Sequence, residues 1–113
     1  MRARLFALAI LAVAAGNLPA RAGNATAVVT VTTTEFHFAL SARSVPHGTV
    51  TFVVRNRGVL PHTFQIAGRT TPPIGSRESR SLTVSFARPG TYPYLCAISG
   101  HADAGMKGLL TVT

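Results

Sequence analysis

The sequence predicts an all-β single domain built as a sandwich of two packed sheets. Three observations carry this. The apolar segments are short and dominated by Val, Thr and Phe, which suit pleated strands. Their apolar residues alternate, so each segment offers one apolar face, as two sheets sharing a core require. Ten Gly and seven Pro punctuate a chain of 113 residues, and no helical period is sustained between them.

In chain order, a first strand is expected over residues 27–34, rich in Val and Thr. Residues 49–55 place Val50, Phe52 and Val54 on one face. Residues 62–66 do the same with His62, Phe64 and Ile66, and residues 79–86 with Leu82, Val84 and Phe86. Residues 91–96 align Tyr92, Tyr94 and Cys96, and residues 108–113 close the chain. Between them, Pro46-His47-Gly48 and Arg88-Pro89-Gly90 read as turns, and residues 71–75, with Pro72 and Pro73, as a loop. Pro93 inside a strand implies an edge position or a local break in the ladder.

The first 22 residues read as a leader rather than as part of the domain. Arg2 and Arg4 precede an apolar run from Leu5 to Ala15, and Ala20-Arg21-Ala22 follows. A basic start, a short apolar stretch and an A-x-A site describe a secretory signal peptide. The run falls short of the roughly 20 apolar residues that a spanning helix needs. Residues 1–22 are therefore expected to be a signal peptide and residues 23–113 the mature domain, located in the periplasm or secreted. Its lone cysteine, Cys96, cannot form an internal disulfide, and in an oxidising compartment a bound metal would protect it.

The whole chain carries a formal charge of +8. Without the leader, eight basic residues face three acids, Glu35, Glu78 and Asp103, and the basic residues are scattered singly. Nucleic-acid binding would call for a basic run or a known motif, and neither occurs. A dispersed basic surface instead suits brief encounters with acidic partners.

The chemistry concentrates near the C-terminus. Cys96, His101 and Met106 recur at five-residue intervals, as C-x4-H-x4-M, inside the run from Tyr92 to Gly108. Soft sulfur ligands with a borderline imidazole suit copper cycling between Cu(I) and Cu(II), and a blue copper site takes two His, one Cys and a weak axial Met. The motif holds three of the four donors. His62 is the candidate for the fourth, because strand alternation turns it inward. Taken alone, an inward His is more often a hydrogen-bonded core residue, and a free Cys a small buried hydrophobe; together the two can meet between the sheets. Gly100 and Gly105, with small Ala102 and Ala104, allow a tight loop that brings His101 and Met106 to the sulfur. His37 alternates with Phe36 and Phe38 and faces away from that pair, and His47 sits in a turn; neither has a clustered partner and both read as surface residues, so a multicopper oxidase or nitrite reductase fails on ligand count.

The chain resembles a small cupredoxin of the plastocyanin, amicyanin and azurin kind. The resemblance spans nearly the whole mature region and rests on Phe36-His37-Phe38, on Val45-Pro46-His47-Gly48 through Phe52, on Asn56-Arg57-Gly58 leading to Pro61-His62-Thr63-Phe64, and on Pro89 through Cys96. It implies an eight-stranded type of Greek-key sandwich with one copper per chain. His62, Cys96 and His101 would be its equatorial ligands and Met106 its axial one. It also implies that Thr63 braces the ligand loops and that Asn56 fixes the loop entering His62. The segment between His62 and Cys96 is shorter than in most plant-type members.

The function expected on this basis is a non-enzymatic, exported electron carrier, a monomer serving redox proteins of the cytochrome or oxidase type. The electron would leave through His101, ringed by Leu60, Pro61, Ile98, Ala102 and Ala104 as an apolar docking patch. Two alternatives stay open. A periplasmic copper chaperone or resistance protein would favour exposed Met or His clusters, whereas the mature chain keeps a single Met. A structural zinc domain could use the same Cys and His donors.

Overall fold

The computed structural model of the chain describes residues 26–113; the expected leader lies outside the described residues. Nine strands succeed one another: β1 (Thr26–Thr34), β2 (His37–Leu40), β3 (Ser44–Val45), β4 (Gly48–Asn56), β5 (Gln65–Ile66), β6 (Arg69–Thr70), β7 (Ser79–Phe86), β8 (Gly90–Leu95) and β9 (Lys107–Val112). Every regular element among the described residues is a strand. One sheet has the order β2-β1-β4-β7 and the other β3-β9-β8-β5-β6. The chain changes sheet after β2, β3, β4, β6 and β7, which makes the predicted Greek-key β-sandwich.

Side-chain alternation explains the layering. Val29 and Val31 on β1 and Val50, Phe52 and Val54 on β4 are fully buried. Their intervening neighbours keep some exposure. β1 and β4 run parallel, with Val29 opposite Phe52 and Val31 opposite Val54. A parallel pair needs a crossover, and β2 with β3 supplies it. From the other sheet come Ile66, Tyr94, Leu110 and Val112, all buried against the same core. Each large apolar side chain removed from water contributes about 1.5–3 kcal/mol.

Three predictions need correction. Residues 62–66 do not form a continuous strand: only Gln65–Ile66 ladders with β8, while His62 makes an isolated antiparallel bridge to Ile74. The segment 71–75 is a loop as predicted, yet it is the partner of that bridge. The strand count is nine rather than eight, because β3, β5 and β6 are two-residue pieces. β5 and β6 are joined by Ala67 and Gly68, both at positive φ (50° and 73°), the geometry of a tight hairpin turn. Phe36, expected beside Phe38, instead occupies the β1–β2 turn and is 38% exposed. Pro93 does sit where the ladder is open: β8 pairs with β9 at Leu109, but pairing with β5 extends only over Tyr94 and Leu95.

Candidate metal centre

Local structure explains where each predicted donor residue lies. Asn56 ends β4 and is fully engaged. Its Nδ2 donates to Leu60 O (2.8 Å) and Ile74 O (2.9 Å), and its Oδ1 accepts from Gly58 N (2.8 Å) and Thr33 Oγ1 (3.3 Å). The loop entering His62 is thereby tied to the loop beyond it. His62 N donates to Ile74 O (3.1 Å), and Ile74 N donates to His62 O (2.7 Å). Two residues on, the Phe64 ring packs among Phe38, Phe52 and Tyr94 with centroids 5.1–5.5 Å apart. His62 thus hangs from an aromatic anchor and is fully buried.

The other predicted donors lie on the β8–β9 connection. Cys96 follows β8 directly, and its amide donates to Met106 O (3.1 Å). The His101 amide donates to Ile98 O and the Met106 amide to His101 O, both at 3.1 Å. Gly100 and Gly105 adopt φ of 82° and 108°, the left-handed freedom for which they were singled out. The loop closes on itself, so residues 96, 101 and 106 are fixed relative to one another. Cys96 and Met106 are buried and His101 is half-buried.

The donor atoms converge. His62 Nδ1 lies 3.2 Å from His101 Nδ1, and Cys96 Sγ lies 3.5 Å from His101 Nδ1. One donor atom from each of His62, Cys96 and His101 falls within 4.8 Å of the others. Nitrogens bound at about 2.0–2.1 Å to a shared ion would sit roughly 3.3–3.6 Å apart at tetrahedral to trigonal angles. The observed spacing is close to that range without rearrangement of the loops. Two imidazole nitrogens and one cysteine sulfur in a largely buried triangle is the arrangement of a type 1 copper site. Met106 adjoins it through its backbone bonds to Cys96 and His101.

Around the triangle the sequence expectations meet mixed outcomes. Thr63 braces the two ligand segments: its hydroxyl accepts from Ala97 N at 2.8 Å. His37 is exposed, and His47 is half-buried with Nδ1 at 2.9 Å from Thr113 O. Of the expected apolar rim, Leu60, Pro61 and Ala104 are exposed, Ala102 is half-buried, and Ile98 packs against the core instead. Two rim residues escaped the sequence reading. Val59 is 80% exposed, and Phe36 meets the His101 ring edge-on, with centroids 5.1 Å apart.

Glu35 was missed altogether. Its Oε1 accepts from Val59 N and Leu60 N, each at 2.8 Å, and lies 3.2 Å from His62 Nε2. The Leu60 amide foremost, working against partial desolvation and joined by the Val59 amide and the His62 ring, holds its carboxyl below the usual carboxylate range. A lone acid 27 residues before His62 carries no motif, so only its place in the β1–β2 turn reveals the contact.

The model of the cupredoxin-like domain family matches residues 4–112 of the chain. Auracyanin-B of Chloroflexus aurantiacus is 52% identical over 40 residues, a stretch covering 35% of this chain and 17% of that protein. The structure of auracyanin B superposes with a TM-score of 0.69 at 25% identity, covering 77% of this chain and 88% of that one. A dithionite-reduced auracyanin from Roseiflexus castenholzii gives 0.66 at 22% identity, over 80% and 99% of the two chains. The same fold occurs within larger enzymes: a copper-containing nitrite reductase from Thermus scotoductus gives 0.61 at 20% identity, over 78% of this chain and 28% of that one.

Proposed function

Since this chain belongs to the cupredoxin-like family, we propose that it is an exported, mononuclear blue copper protein that shuttles single electrons between redox partners and is not an enzyme. The observation that carries the proposal is the convergence of His62 Nδ1, His101 Nδ1 and Cys96 Sγ, with His62 and Cys96 buried. His62, Cys96 and His101, with Met106 as the fourth donor, would hold one copper per chain. The bound ion supplies a one-electron couple between Cu(I) and Cu(II).

The protein's share of the chemistry is positioning. The loop bonds between Cys96, His101 and Met106, and the anchoring of His62 through Phe64 and Ile74, resist rearrangement when the charge at the site changes. A rigid site keeps the cost of gaining or losing an electron small. His101, half-buried and met edge-on by the Phe36 ring, is the exit for the electron. The exposed apolar residues Val59, Leu60 and Pro61, in the loop entering His62, fit a weak, rapidly dissociating redox interface. The scattered basic residues favour acidic partners, and cytochromes or oxidases are the class proposed. Export follows from the leader: cleavage after Ala22 gives a mature chain starting at Gly23 in the periplasm or outside the cell.

The test is spectroscopic. The purified protein, loaded with copper and oxidised, is expected to show intense thiolate-to-copper absorption and a narrow copper hyperfine splitting in EPR, both lost in Cys96→Ser. A colourless copper complex overturns the blue-copper reading. Copper delivery to an apo-acceptor faster than electron exchange would favour a copper chaperone. Mass spectrometry of the exported protein checks the N-terminus at Gly23.

A further inference from the structure

We infer that Glu35 is a positioning residue for the metal centre: its carboxylate orients the His62 ring through Nε2 and biases the centre toward its more positive oxidation state. The inference rests on the copper reading above and adds to it a charge contributed by the β1–β2 turn.

The ring of His62 has one free choice. With Nδ1 aimed at His101 and Cys96, Nε2 must carry the proton and needs an acceptor, since the residue is fully buried. Glu35 Oε1 stands 3.2 Å away. A metal-bound imidazole that donates its other N–H to a carboxylate is locked in tautomer and orientation and becomes a stronger donor. A negative charge one ring away from the ion also favours Cu(II) over Cu(I) by simple Coulomb attraction. The Glu35 side chain is itself held, by the amides of Val59 and Leu60, although it is 32% exposed.

Two further features show that the turn is shaped for this contact. Phe36, next in the chain, has φ of 60°, in the left-handed region that a bulky residue resists. In that conformation the turn directs Glu35 to one ligand imidazole and Phe36 to the other. Gly58 completes the arrangement from the opposite side. Any Cβ at position 58 would collide with both carboxylate oxygens of Glu35. Gly58 is not at positive φ, so its absent side chain serves the space that the carboxylate needs rather than a backbone requirement.

Glu35→Gln isolates the charge, because the amide oxygen can accept at all three contacts that Oε1 makes. The expected result is a folded, blue protein in which the ratio of Cu(I) to Cu(II) stability rises at least tenfold, a midpoint about 59 mV higher for a one-electron couple. Gly58→Ala, which displaces the carboxylate without changing its charge, is expected to raise the midpoint as well. In the zinc-loaded protein, the Nε2 proton of His62 should exchange slowly with water in the wild type and in Glu35→Gln. In Glu35→Ala it should exchange at least tenfold faster. A wild type and variants that are all blue with the same midpoint, or an Nε2 proton indifferent to Glu35→Ala, overturn the inference. A wild type that never turns blue overturns the copper reading instead, and the zinc exchange experiment still judges the contact.

Discussion

Thr63 reaches Cys96 by two routes: its amide N–H lies 3.4 Å from Sγ and its hydroxyl 3.8 Å from the same sulfur. The hydroxyl also accepts from Ala97 N, so one residue beside His62 senses both the sulfur and the segment that follows it. Hydrogen bonds to a ligating sulfur withdraw electron density and favour the less positive metal. Thr63→Val keeps the shape and the amide contact but removes the hydroxyl. Voltammetry is expected to give a lower reduction potential. Loss of the bond to the Ala97 amide should cost about 0.5–1.5 kcal/mol in denaturant unfolding, because Ala97 is exposed and water can take the place of the hydroxyl.

Met106 is fully buried beneath the loop that it closes. As the proposed axial donor it tunes the potential. Met106→Gln replaces a soft thioether with a harder oxygen that stabilises Cu(II), so the midpoint is expected to fall while the blue colour persists. A voltammogram without a shift removes Met106 from the centre.

Asn56 makes its four side-chain hydrogen bonds within a buried junction. Asn56→Ala leaves the Leu60 carbonyl and the Gly58 amide without their side-chain partner, at about 1–3 kcal/mol for each group left unsatisfied, while the Ile74 carbonyl keeps only the His62 amide. Asn56→Asp turns an oxygen toward two carbonyl oxygens and should destabilise further. Urea midpoints of the metal-free proteins rank the three. A smaller loss for Asp than for Ala would show that Asn56 is not the donor that joins the two loops.

Tyr94 gives an alkaline signature. Burial pushes its phenol above the ordinary 10.0, outweighing the opposing influence of Arg43. The folded state therefore favours the protonated ring. Its contribution to stability is complete below pH 10.0 and is lost as pH rises toward the folded-state value. Tyr94→Phe should flatten the decline in unfolding free energy above that pH. Identical slopes for the two proteins would exclude the phenol as its source.

Much of this protein is legible in one dimension. Alternation alone turned Val50, Phe52 and Val54 inward, because a strand presents successive side chains to opposite faces whatever else surrounds it. C-x4-H-x4-M is equally local, since a ten-residue loop with glycines at 100 and 105 can close only over short distances. What the tertiary structure decided was everything that joins distant segments. His62 meets His101 across 39 positions, and Glu35 meets His62 across 27. Residues 62–64 pair with the loop at 71–74 rather than extending a regular strand, because the Asn56 hydrogen bonds and the Phe64 anchor hold them there. A pairing rule read along the chain cannot anticipate such contacts. Side-chain period is set by the backbone of each strand, whereas the identity of a buried neighbour is set by how two sheets and their loops pack.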